Sequence, residues 1–238
     1  MRKPSRLVPV STWLGSLALF TLQAPAVAPL EAMSWSDVVA RYATVHDYTC
    51  LYEKQERAID HGALQTIRMS FRKPLDVRLD WLDDAGKVDQ VAVYRQGYND
   101  GKVIVKRRGL VGSIAGTIRL DPHGTLALQD SRHPITQVGL GYIIDRVSQD
   151  LRNERVISQP LVEETIDGRA CDRLQFDAPP GTALFGIEGA RGAVVWIDRV
   201  LQLPAKIEIL DSARNMIERH RFRDVRLNPG LADAVFTL

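Results

Sequence analysis

Ser131-Arg132-His133 is the densest group of side chains in this sequence that could do chemistry. A hydroxyl, a guanidinium and an imidazole at a helix entry could hold an anionic headgroup, because the free N–H groups of a helix N-terminus carry partial positive charge. Pro134 also serves simply to start a helix, so Arg132 is a ligand-binding candidate beside a plainer structural reading. Enzyme signatures are otherwise missing. There is no Gly-x-Ser-x-Gly elbow, no His-Glu-x-x-His and no phosphate loop, and Gly139-Leu140-Gly141 falls inside a helical pattern, not between strand and helix. The histidines His46, His61, His123, His133 and His220 show no ligand spacing, so each reads as a surface or loop residue. The expectation is a protein with no catalytic residue, no cofactor and no metal. A hydrolase built on Ser131 and His133 has the least support.

Two further groups need placing. Arg219-His220-Arg221-Phe222-Arg223 and Lys106-Arg107-Arg108 are basic runs, and on strands their alternate members face opposite ways. At least one arginine of the first run is therefore expected to point inward or to stand at a sheet edge, where it either protects the edge or steers the domain to phospholipid headgroups or an acidic partner. Cys50 and Cys171 are the two cysteines. In an oxidising compartment such a pair is expected to form a disulfide closing a long loop.

The compartment follows from the first residues. Arg2, Lys3 and Arg6 precede an apolar run from Leu7 to Leu22, and Ala24-Pro25-Ala26-Val27-Ala28 offers small residues suited to cleavage. The run is interrupted by Pro9, Ser11, Thr12 and Ser16 and falls short of the ~20 residues of a spanning helix. Residues 1–28 read as a cleaved signal peptide and 29–238 as one soluble, exported domain. Removing 1–28 takes three basic residues and no acidic one, so the formal charge moves from +2 to −1. A nearly neutral domain argues against nucleic acid, which needs a net basic face.

The elements come next. Ser34-Trp35-Ser36-Asp37 has capping-box spacing, and Trp35, Val38, Val39, Tyr42 and Val45 follow at helical spacing, predicting a helix over 35–46. Alternation then takes over. Tyr48, Cys50 and Tyr52 share one side; so do Ile67, Met69 and Phe71, and so do Val77, Leu79 and Trp81. Asp83-Asp84-Ala85-Gly86 and Asn99-Asp100-Gly101 are turns between returning strands, and 110–120 reads as extended. A second helix spans 137–152 and is apolar over much of its circumference. Two strands flank Asp167-Gly168, a Gly-rich loop follows, and 193–227 forms a three-stranded meander with a bulge near Arg223-Asp224. About ten strands with two helices is an α+β pattern, in which a strongly curved antiparallel sheet covers the helices.

Tyr48-Thr49-Cys50, Lys54-Gln55-Glu56-Arg57, Phe71-Arg72-Lys73-Pro74, Asn99-Asp100-Gly101-Lys102, Ser131 to Ile135, Ile197-Asp198 to Leu203-Pro204 and Leu227-Asn228-Pro229-Gly230-Leu231 ahead of Phe236 resemble an exported bacterial family of unknown function. The last segments are similar, more loosely, to the lipoprotein carriers LolA and LolB and to the LolA-like half of the sigma-factor regulator RseB. The resemblance implies a LolA-like incomplete antiparallel β-barrel with a hydrophobic cavity for acyl chains. Unlike LolB, this sequence has no cysteine for lipid attachment near its signal.

Sheet curvature and resemblance lead to one expectation: a periplasmic carrier of a lipid, acyl chain or lipidated protein, with an envelope membrane protein as a possible partner. The candidate lining is Val77, Leu79, Trp81, Val93, Ile207 and Ile209 from the sheet, with Tyr142 and Ile143 from the helix. The alternative is an RseB-like envelope sensor or protein-binding module.

Overall fold

The computed structural model describes residues 33–57, 62–107, 116–153, 157–158 and 162–238. The expected signal peptide, His61, and the 110–115 part of the expected extended stretch lie outside them.

Twelve strands form one sheet among the described residues, all paired antiparallel. In chain order they are β1 (Asp47–Glu56), β2 (Leu64–Arg72), β3 (Asp76–Leu82), β4 (Val88–Arg95), β5 (Val103–Arg107), β6 (Ile118–Leu120), β7 (Ile157–Ser158), β8 (Val162–Ile166), β9 (Arg169–Asp177), β10 (Gly192–Asp198), β11 (Leu203–Leu210) and β12 (Met216–Leu227). Their spatial order is β6-β5-β4-β3-β2-β1-β12-β11-β10-β9-β7, with β8 also on β9. The first and last strands thus meet in the middle, and the two ends of the sheet are not joined. This is an incomplete, curved barrel around two helices, α1 (Trp35–Ala43) and α2 (Leu140–Arg152), as the sequence led one to expect.

Alternation sets the inner face. Tyr48, Cys50 and Tyr52 of β1, Ile67, Met69 and Phe71 of β2, and Val77 and Leu79 of β3 are all buried in the main core. Opposite them in register, Phe222 of β12 stacks on Tyr52 at 5.2 Å, and Phe71 stacks on Tyr48 at 5.1 Å. Thr49 pairs with Arg226 but Leu51 with Arg223, so β12 carries an extra residue there, with Asp224 at φ 51°. That is the expected bulge.

The helices pack against this face. Ser34 and Asp37 form a capping box at the start of α1, and Trp35 Nε1 donates to Ser148 Oγ of α2 at 2.9 Å. The N-terminus of α2 is held by Tyr48, whose hydroxyl accepts from Leu140 N–H at 3.0 Å. Gly139, at φ 90°, permits this approach, since a Cβ there would fall 2.3 Å from the Tyr48 hydroxyl.

Three expectations need correction. Cys50 and Cys171 are free: Cys50 lies in the main core, whereas Cys171 belongs to a small cluster with Val194 and Trp196 on the other face, with β12, β11 and β10 between their strands. A disulfide needs Cα atoms within about 7 Å, and opposite faces preclude it. β12 is a central strand, not an edge, and its arginines face outward. Arg219 pairs with Glu208 at 2.8 Å, and Arg221 and Arg223 pair with Glu53 at 3.0 and 2.6 Å, so the inward members of the run are His220 and Phe222. Finally, α2 begins at Leu140, so Ser131-Arg132-His133 precedes a single 3-10 turn, Ile135–Gln137, and not the helix itself.

Candidate functional site

Between the inner face of the sheet and α2 lies a cavity of about 590 Å³. That falls within the range of sites for small organic ligands, roughly 300 to 1,000 Å³. Ile67 of β2, Leu79 and Trp81 of β3, Ala92 of β4, Val105 of β5, and Ile207 and Ile209 of β11 supply its sheet side. Tyr142 and Ile143 close it from α2, and Phe185 and Ile187 from the loop between β9 and β10. Trp81 is held by its indole N–H, which donates to Gln65 Oε1 at 3.0 Å.

Of the candidates named from the sequence, Leu79, Trp81, Tyr142, Ile143, Ile207 and Ile209 line this hollow. Val77 shares their face but is packed in the solid core. Val93 points the other way. The residues of β4 that pair with Leu79 and Trp81 are Ala92 and Gln90, whereas Val93 pairs with Arg78 on the outer face, where the C-terminal turn Asp233–Phe236 packs against β3 and β4. Arg132 does not line the hollow either: its Nε lies 2.5 Å from Glu218 Oε1, and its Nη2 donates to the Arg57 carbonyl at 3.2 Å.

One end of the hollow is polar. Glu218 and His220, two residues apart on β12, both face inward and are buried. His133 Nε2 lies 2.9 Å from Glu218 Oε2, and His220 Nε2 lies 3.3 Å from the same oxygen. Tyr52 Oη is 2.7 Å from His220 Nδ1. Beside them Glu56 accepts from Arg132 N–H at 2.8 Å, with the Lys54 ammonium 3.7 Å away. Burial alone would raise the Glu218 carboxyl, but hydrogen bonds and charge from His133 and His220 outweigh it and hold the group at about 2. Burial pushes the Tyr52 phenol well up, reinforced by Glu56 and Glu218, and it draws the Lys54 ammonium down against the pull of the same two carboxylates.

Sequence spacing did not reveal this cluster, because His133 is 85 residues from Glu218. The usable signal was the parity of β12, which puts a glutamate and a histidine on the same face as Phe222. His220 is accordingly a core residue, not the surface residue expected of it. Ser131 Oγ donates to the His133 backbone carbonyl at 2.8 Å and accepts from His133 N–H at 3.3 Å. The hydroxyl therefore shapes the loop and is not paired with an imidazole base.

The family model described as protein of unknown function (DUF1571) matches residues 45–238. No curated protein matches the chain. Among solved structures, MucB is 19% identical at a TM-score of 0.50, covering 85% of this chain and 62% of its own. The MucA/MucB complex of Pseudomonas aeruginosa is 16% identical at 0.48, covering 86% and 59%. A LolA superfamily protein from Nitrosomonas europaea is 13% identical at 0.34, covering 87% and 99%. The chain thus spans less than two thirds of the length of MucB, and the likeness concerns the fold.

Proposed function

The chain belongs to the DUF1571 family, and from that premise we propose that it is an exported binding or carrier protein for a hydrophobic ligand: a lipid, an acyl chain or a lipidated protein. The observation that carries this reading is the cavity of about 590 Å³ between sheet and α2, walled by Leu79, Trp81, Ile143, Ile207 and Ile209. Apolar walls favour an apolar occupant because desolvating both surfaces supplies about 25 cal/mol per Å² removed from water. The polar end gives such an occupant a direction, since a headgroup could reach Tyr142 and His133 while its chain lies along the isoleucines.

The proposed address is the periplasm, with residues 1–28 removed as a signal peptide and 29–238 as the mature domain. Among the described residues no helix is long and apolar enough to cross a membrane. A second reading, a module that binds a protein of the envelope, draws on MucB, which has been solved in complex with MucA.

Native mass spectrometry of protein purified without detergent tests the choice. Uptake of one added phospholipid per chain supports the carrier. A bare mass after lipid addition, with a stoichiometric envelope protein recovered by pull-down, replaces it with the second reading.

A further inference from the structure

We propose that His133, Glu218 and His220 form a binding site for a divalent transition metal of the zinc class, with coordination positions left open toward the cavity. One ligand atom from each of the three lies within 4.8 Å of the others. Two imidazoles and a carboxylate are the donor set that zinc and its neighbours accept when a site keeps room for a further ligand.

Two of the three separations suit an ion directly. For metal–ligand bonds of about 2.1 Å, the 2.9 and 3.3 Å between Glu218 Oε2 and the two Nε2 atoms correspond to angles near 87° and 104° at the metal; the two imidazoles, whose ligand atoms lie within 4.8 Å of each other, need only rotate enough to bring them within about 4.2 Å, twice that bond length. Angles of that size occur in four-coordinate and six-coordinate sites alike. Two of the ligands stand on a rigid central strand, at alternate positions of β12. The third comes from a loop tied down by the Ser131 hydroxyl.

Outer partners support the same arrangement. Tyr52 Oη meets His220 Nδ1 at 2.7 Å, so with Nδ1 protonated the Nε2 lone pair is the one aimed at Glu218 and His133. The Arg132 guanidinium forms an ion pair at Glu218 Oε1, while Oε2 is the oxygen that both imidazoles face. His133, Glu218 and His220 all line the hollow, so an ion they hold can be reached by water or by an anionic group of an occupant. The site stands on these ligands alone, whether or not the hollow takes a lipid.

The test is calorimetric titration of chelator-stripped, folded full-length chain with Zn²⁺, and in parallel with Co²⁺ followed by visible absorption. The site predicts one ion per chain. It also predicts at least a roughly tenfold weaker association in His133→Gln, and about 10- to 100-fold weaker in Tyr52→Phe, which touches no metal but loses the partner that orients His220. Neither substitution removes a backbone hydrogen bond of the sheet, and circular dichroism checks that both variants fold as the wild type does. Absence of Zn²⁺ and Co²⁺ binding to the folded wild type overturns the proposal, and so does binding that both variants retain at full strength.

Discussion

The two arms belong to one antiparallel sheet yet end in different states. On the β9 to β11 arm most of the inner face is packed: all seven residues of β10 are buried, Phe176, Ile197, Leu203, Leu140 and Val147 share one core without exposure above 1%, and Ile207 and Ile209 of β11 are the residues of this arm that reach the hollow. On the β2 to β6 arm, Ile67, Leu79, Trp81, Ala92 and Val105 face a hollow. The helices make the difference. α1 and α2 both lie against β11, and Gly139 at the start of α2 meets Tyr48, Met69 and Phe71, so it is the far part of the face, along Ile67, Leu79, Trp81 and Ala92, that fronts the hollow. Alternation therefore says which face turns inward, and the reach of the covering helices decides whether that face is packed or lines a cavity.

Substitutions on each arm separate these states. Phe176→Ala, on the filled arm, is expected to cost about 3 to 5 kcal/mol in urea unfolding, since it opens a void that close-packed neighbours cannot collapse into. Gly139→Ala is next, at about 2 kcal/mol or more, because it forces an alanine into φ 90° with its Cβ against the Tyr48 hydroxyl. Faster exchange of α2 amides would locate that damage. Trp81→Ala, on the hollow arm, where the indole is half-buried and borders open space, is expected to cost only about 1 kcal/mol while weakening uptake of a fluorescent fatty acid. A cost matching that of Phe176→Ala would show the hollow to be filled and would erase the contrast between the arms.

The smallest effect concerns the thiols. Burial, reinforced by the Asp198 charge, pushes Cys171 up to about 11, and burial raises Cys50 further. Thiolate is then scarce at pH 8 and increases only as pH climbs toward the raised value. Alkylation of the native protein should be slow at pH 8, two thiols should titrate on unfolding without reductant, and reductant should leave the melting temperature unchanged.

Much of this was legible in the chain. The inner residues of β2 and β3, the capping box of α1, the bulge at Asp224 and the β10–β11–β12 meander all follow from local pattern. Val93 misled because valine is apolar on either face: here the C-terminal turn covers the outer side of the sheet, and the small Ala92 faces the hollow. The cysteines misled because compartment suggests pairing, whereas parity and strand order decide it, and strand order emerges only when β1 closes on β12. The His133–Glu218–His220 cluster was hidden for the same reason, since it assembles across that closure and the loop before α2.

The central claim is that the hollow itself is the binding site. Ala92→Trp tests it most directly, because Ala92 looks into the cavity from β4, where an indole would occupy space instead of displacing packed neighbours. With phospholipid present, native mass spectrometry should show one lipid on the wild type and none on the variant, at closely similar melting temperatures. A folded variant that still carries lipid as the wild type does would contradict the account.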